Sequence, residues 1–217
     1  MKKENPESAT VPEKLRKCGI IPVLVINTVE EGIRVCDILY RCGLPSAEIT
    51  FRTSAAEGTI REVLKRFPDM TAGAGTILNT EDLKKAFYAG AKFAVAPGCN
   101  PKIMNAAENL GIPFFPGVCT PSDIECAYEN GAKIMKFFPS EASGGISILK
   151  ALIGPYKHLG IKYIPLGGID ASNVNKYFDL KEVLAVGGSW MVKQEDVSAG
   201  KWDIVEKNIK EAVALVR

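Results

Sequence analysis

Apolar positions along this chain repeat on two different periods. Over 28–42 (TVEEGIRVCDILYRC), 54–67 (SAAEGTIREVLKRF) and 80–90 (TEDLKKAFYAG) they recur three and four residues apart, the spacing of an amphipathic helix. Elsewhere a helix-like segment gives way to glycine and then to a short apolar run. That phrase recurs as CGLPSAEITF (42–51), AGAKFAVAPG (89–98), LGIPFFPG (110–117), NGAKIMKFFP (130–139) and LGIKYIPLGG (159–168), with glycines at 43, 90, 111, 131 and 160. Glycine just past a helix end adopts the left-handed conformation that closes the helix, and the run after it reads as a buried parallel strand. Strands are also expected near 20–26, 70–76 and 182–187. Thr80 and Ser122 are the expected N-caps of their helices, the first with acidic residues in the turn that follows.

Eight strands alternating with helices in 217 residues point to an α/β fold, a (β/α)8 TIM barrel in a single domain over 1–217. A helix over 11–18 precedes the barrel, one over 202–216 closes it, and residues 1–10 read as a flexible N-terminal tail. An open doubly wound sheet is the alternative, but it would carry a glycine-rich fingerprint after its first strand, and VINTVEEG is not one. The positive charges at the N-terminus have no apolar segment behind them, so they do not read as a secretory signal. No apolar run has the length of a membrane span, and a cytoplasmic location is expected.

A composition that is 47% hydrophobic supplies a large core, and a net charge of +2 gives no support to nucleic-acid binding. The expected partner is a small molecule or a second copy of the chain. The six cysteines (18, 36, 42, 99, 119, 126) form no C-x-x-C pair and read as free or buried thiols. The single histidine, His158, points away from multi-histidine metal sites and from Ser-His-Asp catalysis. Acid–base chemistry then falls to Glu, Asp, Lys or Tyr.

In a barrel of this kind chemistry gathers at the C-terminal strand ends, and alternate residues of each strand face inward. AEITFRT places Glu48, Thr50 and Arg52 on one face, GAGT puts Thr76 at the mouth, and KIMKFFP puts Ile134, Lys136 and Phe138 on one face. Lys136 stands among Ile134, Met135, Phe137 and Phe138, whereas Lys133 at the strand start reads as solvated. A charged amine in such a strand costs several kcal/mol unless it is paired or gives up its proton. One reading is a structural ion pair of Glu48 with Lys136 or Arg52. The other is a nucleophilic amine that attacks a ketone, with a carboxylate moving the protons. PLGGI (165–169) and VGGSW (186–190) end the last two strands, and their paired glycines suit an anion such as phosphate held by backbone N–H groups, although Gly-Gly is also ordinary turn chemistry. Pro97 in VAPGCNP is expected to shape the rim.

Taken in order, AEITFRT, GAGTILN, FAVAPG, FFPGVCTPSD, KFFPSEASGG, PLGGI and VGGSW resemble the 2-keto-3-deoxy-6-phosphogluconate (KDPG) / 4-hydroxy-2-oxoglutarate (KHG) aldolase family, from about residue 12 to 216. The resemblance implies a metal-free, cofactor-free class I aldolase, a homotrimer, acting on a phosphorylated keto acid and releasing pyruvate. It also implies Lys136 as the Schiff-base lysine and Glu48 as the general acid/base. Arg52 and Thr76 would hold the substrate carboxylate, Pro97, Phe138 and Leu166 would line the pocket, and Gly167, Gly168, Gly188 and Ser189 would bind phosphate. One position departs from the family. Phosphogluconate enzymes commonly read Pro-Thr-Gly-Gly where this chain has Pro165-Leu166-Gly167-Gly168, which opens the alternative of the galactonate epimer as substrate. Outside this family, the alternatives are an isomerase, epimerase or decarboxylase on a similar barrel and a non-catalytic phosphosugar-binding barrel.

Overall fold

The computed structural model describes residues 10–216. Its first part runs α1 (Val11–Cys18), β1 (Ile20–Leu24), α2 (Val29–Arg41), β2 (Ser46–Thr50), α3 (Ala56–Arg66), β3 (Thr71–Gly75) and α4 (Thr80–Tyr88). Then come β4 (Ala94–Val95), α5 (Pro101–Leu110), β5 (Phe114–Phe115), β6 (Gly117–Val118), α6 (Pro121–Glu129), β7 (Ile134–Phe137) and α7 (Gly145–Tyr156). The chain ends with β8 (Lys162–Pro165), α8 (Val174–Phe178), β9 (Val186–Gly188), α9 (Gln194–Ser198) and α10 (Trp202–Ala214). Of the tail expected over 1–10, residues 1–9 lie outside the described residues, and Thr10 belongs to the cap of α1. Among the described residues no helix is long and apolar enough to cross a membrane.

All strand pairs are parallel, in a six-stranded sheet ordered β5-β4-β3-β2-β1-β9 and a three-stranded sheet ordered β6-β7-β8. The sheet is curled. β9 pairs with β1 on one side, while the bridge Leu166↔Gly187 ties the same segment to the end of β8. The strand expected over 110–117 is split by Pro116, which has no N–H to give to a ladder. Its carbonyl is still used, accepting from the Lys136 N–H at 2.8 Å.

The strands' outward residues pack against the helices: Leu24, Ile49, Ala72 and Ala74 share one core with Val35, Leu39 and Ile60. A separate inner cluster fills the concave face, with Ile21, Phe93, Val95, Phe115 and Ile164 from four strand segments and Leu15 from α1 beneath them. The glycines at 43, 90, 111, 131 and 160 all have the expected positive φ, between 69° and 92°.

Two expected caps are corrected. Asn79, not Thr80, caps α4, its Oδ1 accepting from the Asp82 N–H at 2.8 Å. Thr120, not Ser122, caps α6, its Oγ1 accepting from the Asp123 N–H at 3.2 Å while Asp123 accepts from the Thr120 N–H at 2.9 Å. An N-cap needs extended backbone with its side-chain oxygen two or three residues before a free N–H. Asn79 (φ −152°) and Thr120 (φ −126°) meet that condition, whereas Thr80 is already helical and Ser122 follows Pro121 inside the first turn.

Candidate active site

Two oppositely charged side chains meet on the concave face of the sheet. Glu48, in the middle of β2, is 2% exposed, and Lys136, in β7, is 5% exposed. The Lys136 Nζ donates to Glu48 Oε1 at 3.4 Å, joining residues 88 apart in sequence. On either side of Lys136, Met135 and Phe137 are fully buried in the outer core, so the alternation along β7 turns the lysine inward. Nζ also stands 5.0 Å from the centroid of the Phe138 ring, which follows the strand. The solvated reading of Lys133 holds: it is exposed, with Nζ 3.9 Å from the Tyr128 ring centroid.

Space for the glutamate comes from β3. A Cβ on Gly75 would lie 2.2 Å from Glu48 Oε1, and one on Gly73 would lie 2.5 Å from the Phe93 ring. The inward positions of this strand are therefore glycine because their neighbours fill the volume. The sequence reading used only the threonine of GAGT. Alternating glycines within a strand were the available signal for close approach from across the sheet. The other polar residues of β2 are spent on β1: Thr50 Oγ1 donates to the Leu24 carbonyl at 2.9 Å and Ser46 Oγ to the Ile20 carbonyl at 2.8 Å.

At the rim, Arg52 is exposed in the turn after β2, and half-buried Thr76 follows β3 directly. A hydrogen bond from the Phe51 N–H to the Gly75 carbonyl, 2.8 Å, brings the residues preceding these two side by side. Thr76 has φ 57°, the left-handed region that non-glycine residues seldom occupy. Such strain concentrates at functional positions. The Ile77 N–H donates to the Val95 carbonyl at 3.0 Å, linking this turn to the strand that leads to half-buried Pro97.

The glycine pairs lie at the ends of β8 and β9. Gly167 and Gly168 both have positive φ, 105° and 77°, and a Cβ on Gly167 would lie 3.2 Å from the Phe138 ring. Leu166 is 8% exposed and occupies the slot left by Gly187, where a Cβ would come within 2.3 Å of its Cδ1. Gly188 is packed under Trp190, whose ring a Cβ would meet at 1.9 Å, and Ser189 is exposed. A hollow of about 490 Å³ opens beside Ser189, walled by Val23, Val25, Trp190 and Lys193.

The fold thus brings Lys136, Glu48 and Phe138 together, with Arg52, Thr76, Leu166 and the two glycine pairs around the same strand ends. His158 is exposed in a short turn just before β8, at the end of that strand away from Leu166.

The family model for KDPG and KHG aldolases matches residues 11–208. The chain belongs to that family. Among its aldolase relatives, the 2-dehydro-3-deoxy-phosphogluconate aldolase of Haemophilus influenzae is 40% identical over 205 residues, 94% of this chain and 96% of that one. The KHG/KDPG aldolase of Escherichia coli is 38% identical over 194 residues, covering 89% and 90%. Among solved structures, the KDPG aldolase of Legionella pneumophila, with pyruvate captured at low pH as a covalent carbinolamine intermediate, superposes with a TM-score of 0.87 at 32% identity. That match covers 93% of this chain and 97% of the other.

Proposed function

We propose that this aldolase-family chain is a class I lyase that cleaves 2-keto-3-deoxy-6-phosphogluconate to pyruvate and glyceraldehyde 3-phosphate, and 4-hydroxy-2-oxoglutarate to pyruvate and glyoxylate. The observation that carries the reading is the buried contact of Lys136 with Glu48. Lys136, as the free amine, attacks the C2 ketone to give a carbinolamine, and Glu48 protonates the departing hydroxyl, which leaves as water. The resulting iminium is an electron sink. Glu48 then takes the proton of the C4 hydroxyl, the C3–C4 bond breaks, and its electron pair moves into the iminium as an enamine while the aldehyde leaves. Glu48 returns the proton to C3, and water releases pyruvate and regenerates the amine.

Arg52 and Thr76 are assigned to the substrate carboxylate, a group that a guanidinium holds with two parallel hydrogen bonds. Pro97, Phe138 and Leu166 are assigned to the pocket wall, and Gly167, Gly168, Gly188 and Ser189 to the phosphate. Closure of the curled sheet as a single-domain (β/α)8 barrel is supported by the chain-order pairing and by the return of β9 onto β1. A cytoplasmic homotrimer, acting without metal or cofactor, is the corresponding reading of the whole protein.

The test is incubation with pyruvate and borohydride followed by peptide mass mapping. The expected product is a reduced adduct on Lys136, and its absence there sinks the Schiff-base assignment. Glu48→Gln should lower kcat by about 10²- to 10⁴-fold while pyruvate still binds; full turnover would remove Glu48 from proton transfer.

The buried Leu166 supports a second substrate reading. Its side chain neither donates nor accepts a hydrogen bond, so it offers the C4 hydroxyl no means of stereochemical choice by hydrogen bonding. The galactonate epimer is therefore expected to be cleaved alongside or in place of the gluconate epimer. Strict preference for gluconate would refute this second reading alone.

A further inference from the structure

The loop assigned to phosphate is held from behind by a network that none of the roles above uses. Three successive carbonyls of this loop are engaged. The Leu166 carbonyl accepts from the Ser140 N–H at 2.9 Å, the Gly167 carbonyl from the Glu141 N–H at 2.9 Å, and the Gly168 carbonyl from Asn173 Nδ2 at 3.2 Å. In a trans peptide the C=O and the following N–H point in opposite directions. Fixing these carbonyls therefore turns the N–H groups of Gly167, Gly168 and Ile169 away from those donors, and an anion bound by backbone requires such aimed donors.

Two of these donors are themselves set by one hydroxyl. The Tyr177 OH donates to Glu141 Oε1 and lies 2.8 Å from Ser140 Oγ. With its single proton given to Glu141, it accepts from Ser140. Tyr177 is 1% exposed and Ser140 is fully buried, so water does not replace the contact between them, while the Glu141 carboxylate reaches the hydroxyl from the exposed side. Glu141 also packs directly on the loop, where a Cβ on Gly168 would lie 2.7 Å from its own Cβ. Tyr177 belongs to α8, the helix that the same loop feeds. The circuit is closed: loop, helix, tyrosine, then Ser140 and Glu141 just past the Lys136 strand, and back to the loop carbonyls. Burial, and after it the Glu141 carboxylate, push the Tyr177 hydroxyl up to about 12, so it remains a proton donor throughout the neutral range.

We propose that Tyr177 is a positioning residue for substrate specificity: through Ser140 and Glu141 it fixes the Gly167–Gly168 loop against the end of β7, so that affinity for the phosphorylated end of the substrate depends on a hydroxyl that never touches it. This rests on the assignment of that loop to phosphate. The experiment uses Tyr177→Phe, which keeps the ring and removes the hydroxyl, with Ser140→Ala as a second variant should the first not fold. KM for the phosphorylated substrate is expected to rise at least tenfold, while the rate of pyruvate trapping on Lys136 stays within twofold, because pyruvate carries no phosphate. Competition of inorganic phosphate with substrate in the unaltered enzyme tests the underlying assignment separately. If phosphate competes and Tyr177→Phe leaves KM unchanged, the positioning role is overturned. A parallel loss of pyruvate trapping overturns it too, since the hydroxyl would then support the whole site. If phosphate does not compete at all, the loop assignment falls and the positioning role falls with it.

Discussion

A methyl group on Gly75 would stand in the space of the Glu48 carboxylate, 2.2 Å from Oε1, whereas one on Gly73 would strike the Phe93 ring at 2.5 Å. The two glycines are two residues apart on one strand and face the same way, so the same substitution separates chemistry from packing. Gly75→Ala must displace Glu48 from Lys136, and a misplacement of about 1 Å costs on the order of 10²-fold in rate. Gly73→Ala should instead cost about 1–3 kcal/mol of stability through overpacking, with kcat little changed. Steady-state kinetics and urea denaturation on both variants read the two effects. Equal kcat values would show that Gly75 is not making room for a working carboxylate. A third residue tests the outer core. Cys36 is fully buried, and burial pushes its thiol up to about 12. Since the thiolate is the reactive form, an alkylating reagent at pH 8 should leave Cys36 unmodified until the protein is unfolded. Labelling of Cys36 in the native protein, seen by peptide mapping, would contradict that burial.

Among the elements, the entry to α6 depends on an ionised carboxylate. Asp123 accepts from the N–H groups of Cys119 (3.0 Å) and Thr120 (2.9 Å), in the turn that follows β6 beside the lysine strand. Burial raises its carboxyl, but these N–H donors and the Thr120 hydroxyl outweigh burial and hold it below the ordinary aspartate range. A group whose folded value is depressed stabilises fully above its unfolded value, about 3.9 for aspartate, and loses that contribution as pH falls through the lower folded value. Asp123→Asn should therefore cost about 1 kcal/mol near neutrality, and the gap to the unaltered protein should close below about pH 4. Urea midpoints measured from pH 7 to 3 give the comparison, and a gap independent of pH would remove the ionised Asp123 carboxylate from the account. Helix positions were largely legible in the sequence: 28–42, 54–67 and 80–90 became Val29–Arg41, Ala56–Arg66 and Thr80–Tyr88, since a 3.6-residue apolar stripe is a local property. Their caps were less so. Asn79 and Thr80, or Thr120 and Ser122, offer the same oxygen chemistry, and only the backbone angle decides between them. Pro116 was visible as a residue, but its splitting of a strand followed from which partner needed an N–H.

For the whole molecule, the meeting of Lys136 with Glu48 was legible because strand alternation and a common inward face are enough to bring residues 88 apart together. Tyr177 was not, since NKYF has the pattern of any amphipathic helix and nothing local names Ser140 and Glu141 as its partners. Leu15 was hidden in the same way. The helix over 11–18 was read as an element preceding the strands, without a task. The structure gives it one. Leu15 is fully buried in the inner cluster with Ile21, Phe93, Phe115 and Ile164, so α1 seals the concave face from beneath. The curled sheet turns side chains of β1, β4, β5 and β8 toward a common centre, and the layer below the lysine must be closed to water for those side chains to count as buried. Leu15→Ala leaves the backbone path intact but opens a cavity in that layer, a change that costs about 2–5 kcal/mol when the surroundings do not collapse. The urea midpoint should fall accordingly. At a temperature where the variant remains folded, kcat should stay within about threefold, because Lys136 and Glu48 keep their contact and hydrophobic deletion at the floor removes no transition-state interaction. A loss below about 1 kcal/mol would mean that the floor collapses freely or that α1 is not its seal. A kcat loss approaching that of Glu48→Gln would extend the active site through the inner cluster to the first helix.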